Sequence, residues 1–522
     1  MQTFINDVVN DILSKTKNLS NHTFVLPSRR AGVFLKDQLK LSLKSPTILP
    51  KVISIEEFIA QLSSINLIDT TTLLFEFYFI YTKHTPTEKR ETFDQFSTWA
   101  TILLQDFNEI DRHLIDPNYI FSYLKDIQRF EELLEGEKKT DIINNRIQFF
   151  EKLETYYSAL RTHLLDKKIG YQGLQYREAS DNIYFFINSL QSNQITLVGF
   201  NALNKAEEHI FKELLNHDVA TIYWDIDNFY YKTNHKASSF IKQYHNNWDY
   251  YKNHEFNWKT DHFSSKKNFQ IIGAPKNISQ IKYAGEILKT IKDTTDDYKN
   301  TALVLADESL LTATLNSLPK AVENVNITMG YDLKNIPMAN LFESLIKLHL
   351  NGKNKRFYYK DILSLLGQNH IKNLCTTSNL CDTLISNITS NNYTYLSKDD
   401  LQKLSENNHE TFNLISFLFN FWNDDVDTAI VNCINLITLI RDKNKLDQLQ
   451  KEYLFRFYNV FQQLLNLNEE FHYLKNIKIL HQFYKQILSN EKLSFKGEPL
   501  SGLQIMGMLE TRVLDFKNVI IT

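Results

Sequence analysis

The chain is poor in the residues that break or staple a fold. Of its 522 residues only 13 are glycine and 9 are proline. An architecture made of many tight turns is therefore excluded, and long helices should dominate. Three cysteines, Cys375, Cys381 and Cys433, make no disulfide framework; so sparse and odd a count fits a reducing compartment better than secretion. Charge of neither sign prevails, with 58 Lys and Arg against 61 Asp and Glu for a net −3. Nothing chain-wide attracts a polyanion, so any nucleic-acid contact has to be a local patch. The most apolar windows, Leu73–Tyr81 and Ala429–Ile440, fall well short of the roughly 20 residues that span a bilayer. The opening residues, MQTFINDVVNDILSK, carry Asp7 and Asp11 where a signal peptide would have a basic start and a long apolar core. A cytoplasmic protein with no membrane partner is expected.

Catalytic signatures are missing too. A phosphate-binding GxxxxGK[ST] loop needs glycines to let backbone N–H groups cradle phosphate, then Lys and a hydroxyl for phosphate and Mg²⁺. The only Gly-Lys pair, Gly352–Lys353, is followed by Asn354 and has Lys347 where the first glycine would stand. The histidines between His209 and His262 are irregularly spaced and lack companion cysteines, and Cys375-x₅-Cys381 is no better as a zinc signal. There is no GxSxG, no HExxH and no carboxylate–lysine nuclease core. An ATPase is hard to build from this chain, and no cofactor is expected.

What is present is ordinary globular text, 43% apolar and 23% charged, long enough for about three or four domains. Strands are expected at Thr23–Leu26, Ile195–Gly199 and Ala220–Trp224, and again at Phe269–Gly273, Thr301–Ala306, Leu503–Met506 and Val519–Ile521. Each is a short apolar run, as suits parallel sheets covered on both faces. Helical periodicity fills residues 70–190 and about 354–493. Ser28 should cap a helix over Arg29–Leu43, and Ser54 with Glu57 forms a capping box. The expected fold class is helix-rich α/β. One lobe takes in 1–69 and 191–225, interrupted by a helical insertion at 70–190. A linker follows at 226–268. The second lobe takes in 269–350 and 498–522, with its insertion at 351–497. Because Val519–Ile521 would leave a bare strand edge, the chain is expected to continue beyond Thr522.

Few residues stand out as binding candidates. Arg29 and Arg30 fall in the first turn of a helix, against its dipole, at roughly 0.3–1 kcal/mol each. An anion on the free N–H groups would reverse that sign, which makes Ser28, Arg29 and Arg30 a candidate phosphate contact; two solvated arginines are the alternative. Arg512, between Glu510 and Asp515, either holds its loop by an ion pair or faces a cleft. Lys353, Lys355, Arg356 and Lys360 interleave with Phe357, Tyr358 and Tyr359, a mixture that suits single strands but also suits a helix start with its rings in the core. Trp224, Phe229, Tyr230 and Tyr231 present the same choice.

Four phrases taken in order, Phe24–Leu39 with its strand–Pro-Ser-Arg-Arg–helix, LLQDFNEID at Leu103–Asp111, ITLVGFNALNKAEE at Ile195–Glu208 and GMLETRVLDF at Gly507–Phe516, resemble the AddB-type proteins. These are RecC-like, UvrD-helicase-derived partners in double-strand-break processing with a PD-(D/E)XK nuclease domain. TALVLADESLL at Thr301–Leu311 and VNITMGYDLKNIP at Val325–Pro337 are similar to the second motor-like lobe of one bacterial branch. The resemblance implies two RecA-like lobes, a DNA-backbone grip at Pro27–Arg30, and a former ATP–DNA coupling motif at Gly507–Phe516. In that motif Leu509 stands for the helicase histidine and Val513 for its glycine, which implies a lost motor. It also implies partners, DNA ends or single strands and an AddA-like helicase–nuclease subunit. The nuclease domain, with its carboxylates and Mg²⁺, would lie beyond Thr522. A non-catalytic scaffold built on relic helicase lobes, with helical blocks that bind other proteins, is the rival expectation.

Overall fold

Apolar runs bounded by turn residues form two four-stranded parallel sheets in the computed structural model, which describes residues 3–16, 18–43, 47–124, 141–190, 193–256, 258–295, 297–374, 380–405, 409–493 and 500–522. The first sheet contains β1 (His22–Leu26), β2 (Lys51–Ser54), β3 (Gln194–Phe200) and β4 (Ala220–Trp224) in the order β2-β1-β3-β4. The second contains β5 (Thr301–Leu305), β6 (Val325–Ile327), β7 (Leu503–Gly507) and β8 (Asn518–Ile521) in the order β8-β5-β7-β6. Helices fill most of the remainder, so the fold class is helix-rich α/β with parallel sheets. Ser28 caps α2 (Arg29–Ser42), its hydroxyl accepting from the Ala31 N–H, and Ser54 and Glu57 form the capping box that opens α3 (Ile55–Ser63).

Packing divides the chain into two compact units. The first comprises Met1–Pro86, Trp99–Met329 and Phe495–Thr522 and contains both sheets; the second comprises Thr87–Thr98 and Gly330–Ser494. In the first unit, side chains alternate across the first sheet as the pleat requires. Val25, Ile195 and Leu197 face one apolar layer with Phe58, Phe211, Leu214 and Trp224. Phe24, Leu26 and Val198 face the other, with Val8, Leu35, Leu39 and Tyr223. Val513, from the connection between β7 and β8, completes this second layer. It seats on Gly199, where β3 carries an irregularity and φ is +77°. A Cβ at Gly199 would lie 2.4 Å from Val513 Cγ2. Val513 itself has φ +68°, a conformation seldom tolerated by a β-branched residue and kept only where packing imposes it.

The helical insertion of the first unit is tied by Asp111, the last residue of the LLQDFNEID phrase. Its fully buried carboxylate accepts from the Tyr157 and Tyr171 hydroxyls and from Arg177 Nε. Burial, then the adjacent carboxylate, pushes both phenols upward, which keeps them as donors.

The second unit is mostly helical. Phe342 packs on Phe457 and Phe461, Phe461 stacks on Tyr484, and the Tyr484 hydroxyl donates to the Ala339 carbonyl at 2.9 Å. Its entry and exit are pinned together: Tyr331–Asp332 pairs antiparallel with Lys492–Leu493. Gly330 allows this approach, since a Cβ there would lie 2.5 Å from that of Lys492.

Three expectations change. Phe269–Gly273 is not a strand but exposed chain, with Phe269 82% and Ile271 86% accessible; both edges of β5, the next strand, are already taken by β8 and β7. The expected linker at 226–268 contains short helices at Asn228–Lys232, Ser239–Asn247 and Tyr250–Asn253, held by ring packing rather than by a regular apolar period. Arg356–Tyr358 is a strand, paired with Tyr395–Ser397, and the expected helix start follows it directly, at Tyr359–Leu366. Cys375, and with it the Cys375–Cys381 spacing, lies outside the described residues.

Candidate functional site

Parallel α/β sheets take up ligands beyond the C-terminal ends of their strands, and four of the candidate residues lie on segments leaving such ends. Pro27–Ser28 follows β1, and Ser28 in extended backbone receives the Ala31 N–H at 3.2 Å. The two arginines that follow diverge. Arg29 points outward, 79% accessible, with Nε 3.0 Å from Glu57 Oε1. Glu57 thus serves the α3 capping box with one oxygen, accepting from the Ser54 N–H at 2.9 Å through Oε2, and Arg29 with the other.

Arg30 turns inward and joins the two sheets. Its Nη2 donates to Gln504 Oε1 in β7. Asn326 in β6, with its amide oxygen turned to the guanidinium, accepts from Nη2 at 2.6 Å and Nη1 at 3.2 Å. Gln504 is itself anchored, its Nε2 donating to the carbonyls of Ser501 at 3.1 Å and Gly502 at 3.2 Å. Burial lowers the Arg30 pKa to about 10, and the charge of Glu510 opposes that shift. Arg30 Nε and Glu510 Oε2 are both buried without a hydrogen-bond partner. Gly507 makes room for the acid: a Cβ there would lie 2.4 Å from Glu510 Oε2 and 2.8 Å from Glu308 Oε1. The guanidinium is therefore a bolt between sheets, with the Glu510 carboxylate acting on it.

Arg512 follows β7 and is exposed, without an ion pair among the described residues. The neighbours expected to hold it are engaged elsewhere: Glu510 acts on Arg30, and Asp515 Oδ2 accepts from the Phe4 N–H at 2.8 Å. Lys353, Lys355 and Arg356 lie in the second unit. There Lys353 and Arg356 exchange backbone hydrogen bonds at 3.0 and 2.9 Å around Asn354 and Lys355, whose φ values of +54° and +59° match a primed hairpin turn. Arg356 pairs with Asp400 at 3.3 Å, and the rings divide, with Phe357 in the core and Tyr358 packed on Tyr395. So Ser28, Arg29, Arg30 and Arg512 belong to the unit with the sheets, and the Lys353 cluster to the other.

The residues sequence reasoning passed over are Gln504 and Asn326. Their signal was one polar residue inside each of two otherwise apolar runs, LQIMG and VNI. Among the described residues, no group of three or more His, Cys, Asp or Glu is placed to hold a metal ion, and no helix is long and apolar enough to cross a membrane. Compared with known proteins, the chain matches no protein-family model and no curated protein.

Proposed function

We propose that the chain is the DNA-binding, ATPase-inactive part of an AddB-type double-strand-break repair protein, its parallel sheets being degenerate RecA-like lobes. The observation that carries this reading is the divergence of Arg29 and Arg30. Arg30 fixes β6 and β7 against α2, and Arg29 remains at the surface beyond β1. Arg512, beyond β7 and without an ion pair among the described residues, adds a second exposed cation on the other sheet. Joined sheets suit a holder of DNA better than a motor, whose lobes must move apart and close with each nucleotide turned over. An AddA-like subunit would supply that movement. Contacts of this kind are phosphate-led and sensitive to salt.

Fluorescence anisotropy with a blunt duplex and a forked end, across a salt series, tests the reading. Arg29→Ala with Arg512→Ala should weaken binding several-fold and reduce the salt slope by about one to two. Unchanged affinity and slope would remove the assigned grip. A protein-binding scaffold is the second reading, favoured by the bare apolar Phe269 and Ile271 and by the exposed Val519 and Ile521 on edge strand β8. A folded sample that binds no DNA at low salt would decide for it.

A further inference from the structure

The segment after β4 has two sets of rings that differ in exposure. The inner set is closed. Trp224 stacks on Tyr244 at 5.4 Å, Tyr244 packs on Trp248 at 4.9 Å, and Tyr231 stacks on Phe256 at 5.3 Å. Trp248 is 1% accessible.

The outer set is open to water. Phe229 and Phe263 lie 4.8 Å apart and are each 42% accessible; Tyr230 is 4.6 Å from Phe263, and His235 is 4.9 Å from Tyr230. These outer rings do not hang loosely. Asp227 accepts the N–H of Phe229 at 2.9 Å through one oxygen, and those of His262 and Phe263 at 2.7 and 3.0 Å through the other. One carboxylate thus fixes both chain segments that carry the exposed rings.

The surrounding charge says what such a platform takes. Lys232 ends the helix that bears Phe229 and Tyr230, and Lys236 follows His235. Lys266 and Lys267 follow Phe263, with Lys267 Nζ 5.2 Å from its ring. Lys232, Lys236 and Lys266 are exposed and carry no ion pair among the described residues. Between Asp227 and Lys267 the exposed acids are Asp249, Glu255 and Asp261, and Asp249 is paired with Lys252. Lysine is depleted where proteins dock on one another. Aromatic faces with interspersed lysines are instead the chemistry of single-stranded nucleic acid, where bases stack on rings and phosphates follow the cations.

We propose that Phe229, Tyr230 and Phe263 form a stacking platform for unpaired bases, with Lys232, Lys236 and Lys266 along the path of the phosphates and Lys267 tying down the loop of Phe263 through the His262 and Phe263 carbonyls. This rests on the nucleic-acid reading above and assigns that reading a single-strand site of its own.

The test uses the full chain and three probes: an oligothymidine of about a dozen nucleotides, an abasic strand of the same length and charge, and a blunt duplex of about a dozen base pairs. The variant Phe229→Leu/Phe263→Leu keeps apolar bulk and removes the π-faces. It should lose about tenfold in affinity for oligothymidine and be unchanged with the abasic strand and the duplex. Phe229→Tyr/Phe263→Tyr should bind oligothymidine as the parent does. Equal binding of oligothymidine and abasic strand by the parent protein, or no loss in the leucine variant, would overturn the platform. A parent protein that ignores the duplex end yet binds oligothymidine through these rings would sink the wider reading and leave the platform standing. Failure to bind any of the three would overturn both.

Discussion

The seat of Val513 on Gly199 can be measured from both sides. Gly199→Ala puts a methyl 2.4 and 2.9 Å from the two Val513 Cγ atoms, an overlap that costs about 1–3 kcal/mol in a packed interior. It also places a Cβ at φ +77°, for about 1 kcal/mol more. The single change should therefore destabilise by roughly 2–4 kcal/mol. Val513→Ala removes two methyl groups from a residue only 4% accessible and should cost about 1–2 kcal/mol. With alanine at 513 the nearest remaining atom is the Cβ, at 3.2 Å, so most of the overlap vanishes. The double variant should be more stable than the sum of the singles by about 1–3 kcal/mol. Urea unfolding followed by tryptophan fluorescence reports on this region, because Trp258 packs in the same apolar layer as Val513. Additivity to within about 0.5 kcal/mol would refute the claimed contact.

The Asp111 node gives a sharper loss. Asp111→Asn leaves Arg177, 12% accessible, without its buried counter-charge and should cost about 3–5 kcal/mol in denaturant unfolding; a cost under about 1 kcal/mol would show the node to be ornamental. In the second unit, His349 stacks 3.8 Å from Trp422, has Nε2 on the Leu418 carbonyl at 3.0 Å, and leaves Nδ1 buried without a partner. Burial lowers its pKa from 6.5 to about 3. Between those values the unfolded chain binds a proton that the folded one refuses. Stability is thus full above pH 6.5 and falls as pH drops towards 3, by about 2 kcal/mol between pH 7 and pH 5. His349→Gln, which keeps a donor for the carbonyl, should flatten that part of the thermal-melt profile; an unchanged slope would exclude His349 as its source.

Periodic apolar text was legible where local and tertiary preferences agree. Strands β1, β3, β4, β5, β7 and β8, the Ser28 cap and the Ser54–Glu57 box all lie where the sequence places them. β2 and β6 are not legible because polar residues interrupt the short runs Lys51–Ser54 and Val325–Ile327, and partners far away in the chain define them. Phe269–Gly273 misleads for the converse reason: its apolar run finds no partner strand among the described residues. The site was half legible. Two adjacent arginines announced themselves, but no local pattern tells which one points inward. That was decided by Gln504, more than four hundred residues away.

The pinned entry and exit of the second unit bear on how the chain reaches its native state. Asn326 and Gln504 pair in neighbouring strands although 178 positions separate them. Closing a flexible loop of that length before any of it has folded is slow and entropically unfavourable. If the helical body between them condenses first, its antiparallel Tyr331–Asp332 and Lys492–Leu493 ribbon brings the two ends together. The loop left to close then shrinks to about fifteen residues, which recovers roughly 2 kcal/mol of closure entropy. Gly330–Ser494 precedes β7 along the chain, so synthesis from the N-terminus is compatible with this order of assembly. In that order the last strands would be added with most of their separation along the chain already spanned.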